Sequence, residues 1–176
     1  MSLREQDDRR SVRELIQSGY QLLTVDSVEE QSVINLFNWV ATALNRPLFV
    51  WSITAGFARA DREMGSQKFN RKPEDALAQI RSTTAPGIYL FLDFQPYLDD
   101  PVIVRMLKEL SQSRDPNRHT ICLVGTQIDL PAGLQSFSAH FSPELPQIDE
   151  IQSIVRREAE AYTARHTGQK LSLIHI

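Results

Sequence analysis

The stretch that most constrains this chain is Gly87–Phe94, GIYLFLDF. Five apolar residues, Ile88–Leu92, run straight into one acid, Asp93. A short continuous apolar run predicts a strand buried on both faces, the kind found inside a parallel sheet. His119–Thr126, HTICLVGT, has the same character. Both need further strands beside them and helices above and below, which parallel βα units supply. An acid at the carboxyl end of an inner strand sits where open α/β sheets bind ligands. Aspartate also terminates strands simply by forming turns, so Asp93 carries both readings.

The rest of the chain supplies the units. Residues Asp8–Ser18 read as a short helix with Val12, Leu15 and Ile16 inward and Gly19 just past its end. Tyr20–Asp26 is the first strand. Ser27-Val28-Glu29-Glu30 has the spacing of a capping box and opens a helix to about Asn45, with Val33, Leu36, Phe37, Val40 and Leu44 as its stripe. Pro47–Ile53 is the second strand. Gly56–Lys72 is polar and without period, so it reads as a solvated loop. Pro73–Ser82 is a helix opened by its proline. Asp99, Asp100 and Pro101 cap a helix to about Ser113. Ser138–Ser142 is a fifth, weaker strand, and Gln147–His166 is a last helix striped by Ile151, Ile154, Val155 and Tyr162. The pattern predicts a three-layer, doubly wound, mostly parallel five-stranded α/β fold. The domain spans residues 1–145; 146–170 begin a helical lid or linker, and 171–176, LSLIHI, read as a truncation tail outside the fold.

At 176 residues the chain is long enough for one domain with a real core, and its net charge of −3 gives no bulk attraction to nucleic acid or acidic membranes. The N-terminus has no apolar signal region, and no run approaches the roughly 18 residues of a membrane span, so the expected compartment is cytoplasmic or, for a plastid-encoded protein, stromal. The single cysteine, Cys122, lies inside an apolar run and reads as a buried small hydrophobe. His119, His140, His166 and His175 are scattered and give no metal framework.

The strand ending at Asp93 looks like a Walker B strand, whose aspartate holds Mg²⁺ in nucleotide hydrolases. Such hydrolases also need a phosphate cradle after the first strand, GxxxxGK followed by Ser or Thr. Here that place reads Asp26-Ser27-Val28-Glu29-Glu30-Gln31-Ser32, with no glycine between Gly19 and Gly56 and no lysine before Lys68. Three acids sit where phosphates would dock. Each acid–phosphate pair near 4 Å would repel by a few kcal/mol at an effective dielectric of about 20.

Five segments carry a resemblance: YQLLTVDSVEEQ, RPLFVWSITAGF, GIYLFLDFQPYLDDPVIVRMLKELSQ, HTICLVGTQIDLP and FSPELPQIDEIQSIV. Together, over roughly Leu15–Val155, the chain is similar to the N-terminal region of AAA-type ATPases conserved in cyanobacteria and plastid genomes, with relatives in other bacteria. The resemblance implies an ASCE, RecA-like sheet of order 5-1-4-3-2 whose Walker A motif is lost. It implies a degenerate crevice formed by Asp26, Ser27, Asp93, Phe94, Thr126 and Gln127. In it Asp93 matches the Walker B acid, as a weak metal ligand. Phe94 replaces the catalytic carboxylate, and Thr126 and Gln127 occupy the sensor-1 region. No catalytic residue and no cofactor are then expected here. ATP and Mg²⁺ would belong to a separate C-terminal AAA module, the domain's first partner and a route to homo-oligomers. The implied role is non-catalytic: assembly, partner binding or regulation within an AAA ATPase.

Two other classes compete. Response-regulator receivers place acids after strand one, a phosphoacceptor aspartate after strand three and Thr or Ser after strand four. Asp26, Asp93 and Thr126 imitate these, but no paired acid flanks Asp26 and no lysine lies in Ser138–Pro146. A stand-alone α/β interaction domain is the other. Residues 56–72, with Arg59, Arg62, Lys68, Arg71 and Lys72 against Asp61 and Glu63, are a candidate protein-partner surface as well as a plain loop. Trp39, Phe49 and Trp51 read as core rather than as a ring-binding site, and Phe94, Pro96 and Tyr97 as a packed loop rather than a subunit contact.

Overall fold

The computed structural model describes residues 3–60, 70–113 and 119–143, together with 152, 155, 156 and 159–162. It divides the chain into two compact units, Met1–Pro143 and Glu144–Ile176. The first contains α1 (Leu3–Gln17), β1 (Leu22–Asp26), α2 (Glu30–Ala43), β2 (Leu48–Ser52), β3 (Gly56–Arg59), α3 (Pro73–Ser82), β4 (Ile88–Leu92), α4 (Pro101–Ser111), β5 (Thr120–Gly125), α5 (Ala132–Gln135) and β6 (Ser138–Phe141). A 3-10 turn, Gln95–Tyr97, lies between β4 and α4.

The sheet order is β3-β2-β4-β5-β1-β6. β4 is an inner strand, parallel to β2 on one side and to β5 on the other. β1 lies parallel between β5 and β6. Counting the five parallel strands along the chain, this is the expected order 5-1-4-3-2. It is not the flavodoxin-like order 2-1-3-4-5, so the receiver reading is excluded by topology.

Among the described residues the sheet has six strands, not the expected five. Residues 56–59, expected to be loop, form β3, antiparallel to β2 with Ser52 opposite Gly56 and Phe49 opposite Arg59. Gly56 takes φ 72° after the three-residue loop Ile53-Thr54-Ala55, the geometry of a hairpin closed by a left-handed residue. This first part of the 56–72 stretch is strand, and residues 61–69 lie outside those described.

Alternation along each strand separates two cores. Leu23, Val25, Ile88, Leu90, Cys122 and Val124 face α1 and α2, which contribute Val12, Ile16, Val33, Phe37, Val40 and Ala41. Leu22, Tyr89, Phe91, Ile121 and Leu123 face α3, α4 and α5, which contribute Ala76, Leu77, Ile80, Ile103, Leu107 and Leu134. Each fully buried large apolar side chain contributes about 1.5–3 kcal/mol through its area removed from water. Burial also pushes the Cys122 thiol well up from its ordinary range.

Two helix starts differ from expectation. α1 begins at Leu3, a turn and more before Asp8, and ends at Gln17. The expected capping box on α2 does not form. The N-cap is Glu29, with no side-chain hydrogen bond to the helix. Ser27 Oγ instead accepts from the Glu29 N–H at 3.1 Å, and Glu29 Oε2 accepts from Ser32 Oγ at 2.9 Å. α4 starts as expected, with the Asp100 carboxylate accepting from Val102 N–H at 2.7 Å and Pro101 in the first turn.

In the second unit, residues 152, 155, 156 and 159–162 are helical, and Val155 and Tyr162 are exposed. Ile151 and Ile154 of the expected stripe, and the tail 171–176, lie outside the described residues.

Candidate functional site at the carboxyl edge of the sheet

Parallel strands β1, β5 and β4 end side by side, and the loops leaving them converge. Asp26 pairs with Gly125, Ser27 N–H donates to Gly125 O at 2.8 Å, and Asp93 N–H donates to Val124 O at 3.0 Å. The register therefore brings Asp26, Ser27, Asp93 and Thr126 to one edge. Gln95 Oε1 accepts from Asp129 N–H at 3.0 Å and ties the loop after β4 to the loop after β5.

Asp93 lies just beyond β4, exposed, with φ 52°. That left-handed backbone is one that aspartate tolerates in turns better than most residues do. Phe94 does not line the crevice, contrary to expectation. It is 0% exposed and packs among Trp51, Phe91 and Tyr97, with ring centroids 5.7, 4.9 and 5.3 Å away. The left-handed turn at Asp93 precedes a residue that enters the core instead of facing a ligand. Thr126 and Gln127 are both exposed on the loop after β5. Among the described residues, no group of three or more His, Cys, Asp or Glu side chains is placed to hold a metal ion.

The β1–α2 connection consists of Ser27, Val28 and Glu29 alone. Val28 is 79% exposed, and Glu29 and Glu30 are exposed beside it.

The aromatic residues sort differently from one another. Trp51 is fully buried and donates Nε1–H to Asn70 O at 2.7 Å; Phe49 stacks on Tyr89 at 5.1 Å. Trp39, expected in the core, is 40% exposed with the Arg9 guanidinium 4.8 Å over its ring. Burial raises the Tyr89 hydroxyl above its ordinary value, offset in part by a hydrogen bond with Thr83.

Sequence reasoning missed His140. It sits on β6 directly opposite Thr24 of β1. Its Nδ1 lies 3.0 Å from Thr24 Oγ1 and its Nε2 lies 3.8 Å from Asp26 Oδ2. Asp26 Oδ1 is buried without a hydrogen-bond partner. Only the β1–β6 register assembles these three residues, and no spacing in the sequence announces it. A cavity of about 440 Å³ opens at the other, amino end of the sheet, bordered by Gln17, Tyr20, Gln21, Leu44, Arg46 and Thr120. A five-residue strand, about 16 Å of chain, separates that end from the carboxyl edge.

Residues 8–141 match the model of the SpoVK-like AAA ATPase N-terminal domain. The chain belongs to that family. Among curated proteins it is 27% identical over 146 residues to the AAA domain-containing protein ycf46 of Trieres chinensis, covering 81% of this chain and 29% of that protein. It is 23% identical over 155 residues to ycf46 of Pyropia yezoensis, covering 86% of this chain and 31% of that one. The chain thus spans less than a third of the relatives it matches. Among solved structures, a RuvB variant of Thermotoga maritima superposes with a TM-score of 0.54 at 12% identity, covering 90% of this chain and 49% of that one. This SpoVK-like N-terminal domain therefore has the RecA-like fold of AAA ATPases. No helix among the described residues is long and apolar enough to cross a membrane.

Proposed function

We propose that this domain is a non-catalytic part of an AAA-family protein, serving assembly, partner binding or regulation. ATP binding and hydrolysis reside in a separate AAA module of the same protein. Within this chain the domain is residues 1–145, and 146–170 begin a lid or linker toward that module. The working compartment is the cytoplasm or, for a plastid-encoded protein, the stroma.

The observation that carries the reading is the β1–α2 connection. A phosphate cradle needs a glycine-rich loop whose amides approach phosphate, and a lysine to neutralise it. Ser27-Val28-Glu29 offers neither, and it is too short to wrap a phosphate. Asp26, Glu29 and Glu30 place negative charge at the one helix end whose dipole would favour an anion. The residues present therefore do not fit a nucleoside triphosphate, and Phe94, buried among aromatic rings, leaves no carboxylate beside Asp93. Asp93 as a weak Mg²⁺ ligand has no second acid within this reading.

Titration calorimetry of the purified chain with ATP and Mg²⁺ tests it. The expected affinity is millimolar or weaker, about −4 kcal/mol at best. A dissociation constant below about 50 μM that is lost in Asp93→Ala would overturn the reading and restore Asp93 as a metal ligand.

A further inference from the structure

We propose that Thr24, His140 and Asp26 form a proton-controlled clasp that fixes the edge strand β6 to β1. β6 is four residues long and, among the described residues, pairs only with β1; the chain leaves it through Ser142 and Pro143. A short parallel edge strand held by one ladder is among the first elements to open locally. His140 reaches β1 through both ring nitrogens.

The chemistry of the ring sets the direction. In neutral imidazole only one nitrogen carries a proton. A bare Nε2 lone pair facing Asp26 Oδ2 would be repelled, so the neutral ring keeps its proton on Nε2. Nδ1 then accepts from the Thr24 hydroxyl. Protonation places a second N–H on Nδ1, turns Thr24 Oγ1 into the acceptor, and gives the ring a positive charge facing Asp26. The neutral clasp has one hydrogen bond and a 3.8 Å contact; the protonated one has a hydrogen bond and an ion pair. Asp26 is the charged group that faces His140 from β1, and α5, which packs on β6, carries no titratable side chain. Adding a proton to the ring therefore tightens the clasp, and removing it loosens it.

Hydrogen exchange of the Ala139, His140 and Phe141 amides in the intact chain tests this. Rates are corrected for intrinsic pH dependence and compared at about pH 5.5 and pH 8. The expected result is roughly threefold greater protection at the lower pH, the size an exposed ion pair provides. The difference should vanish in His140→Gln and in Asp26→Asn while the central strands keep their protection. In parallel, nitrogen NMR of the unmutated chain should show the neutral His140 ring protonated on Nε2. Absence of the pH effect, its persistence in either variant, a ring protonated on Nδ1, or an effect removed by EDTA and so owed to a bound metal would each overturn the clasp.

Discussion

The connections leaving β1 and β4 start from the same edge of one sheet yet are built in opposite ways. After β4 the chain turns at Asp93, buries Phe94, forms a 3-10 turn and enters α4 under an Asp100 cap. After β1 it crosses three exposed or half-exposed residues and enters α2 with no side-chain cap on the helix. The first connection is anchored by core packing; the second is held by the strand ladder and by local hydrogen bonds of Ser27 and Glu29. Ligand sites in this fold are made from such loops. Here Phe94 of one packs into the core, and the other is three residues long and flanked by Asp26 and Glu30.

The sharpest way to break the comparison is at Phe94. Phe94→Glu places a carboxylate next to Asp93 but buries it among Trp51, Phe91 and Tyr97. It should cost more than about 4 kcal/mol in urea unfolding, as loss of the aromatic packing adds to burial of an unpaired charge. A well-folded Phe94→Glu protein would mean the loop after β4 can swing its second residue outward. Next in size, Cys122 should resist thiol reagents until the protein unfolds. Its folded thiol is held well above its ordinary value by burial, so its contribution to stability is complete below about pH 8.5. That contribution is lost as pH rises further toward the folded value; Cys122→Ala should flatten this alkaline loss in a thermal melt series.

The caps sharpen the contrast further. Asp100→Ala should cost about 1 kcal/mol, because its carboxylate satisfies an α4 amide. Ser27→Ala should cost no more than a few tenths of that, within about 0.5 kcal/mol, since its hydroxyl serves the turn and not α2. Equal costs would show that Ser27 caps the helix in solution. Asp93 tests the backbone side of the contrast. Asp93→Gly should leave stability unchanged or raise it by about 0.5 kcal/mol, whereas Asp93→Val, forced into φ 52°, should lose about 1–2 kcal/mol.

The sheet was legible because its signal is local and repeated. Ile88–Leu92 and Ile121–Val124 are apolar throughout and can only be inner strands. Asp100-Pro101 announced α4 for the same local reason. What stayed hidden depended on partners distant in sequence. Ser27 and Glu30 have capping-box spacing, but the tight turn after Asp26 moves the helix start to Glu30 and leaves the pair unused. β3 was masked by its polar continuation, although Gly56, set off from Ser52 by a three-residue loop, is a hairpin signal that outweighs it. Trp39 fits an apolar residue pattern, yet α1 reaches it with Arg9 and not with the core. His140 needed the strand register to meet Thr24 and Asp26.

The parallel wiring of β1 also has a consequence for how quickly the domain assembles. β2 and β3 pair across a three-residue loop and can zip within microseconds, as hairpins do. β1 cannot: its partner across Leu22 is Ile121, about a hundred residues downstream, so that ladder must wait for a very large closure. β1 therefore joins the sheet only after the chain has been made through β5, and β6 after that. The carboxyl edge exists only once the last of the sheet has been threaded home. A nascent chain stopped before β5 would hold a hairpin and several helices, but no edge on which Asp26 and Asp93 could meet.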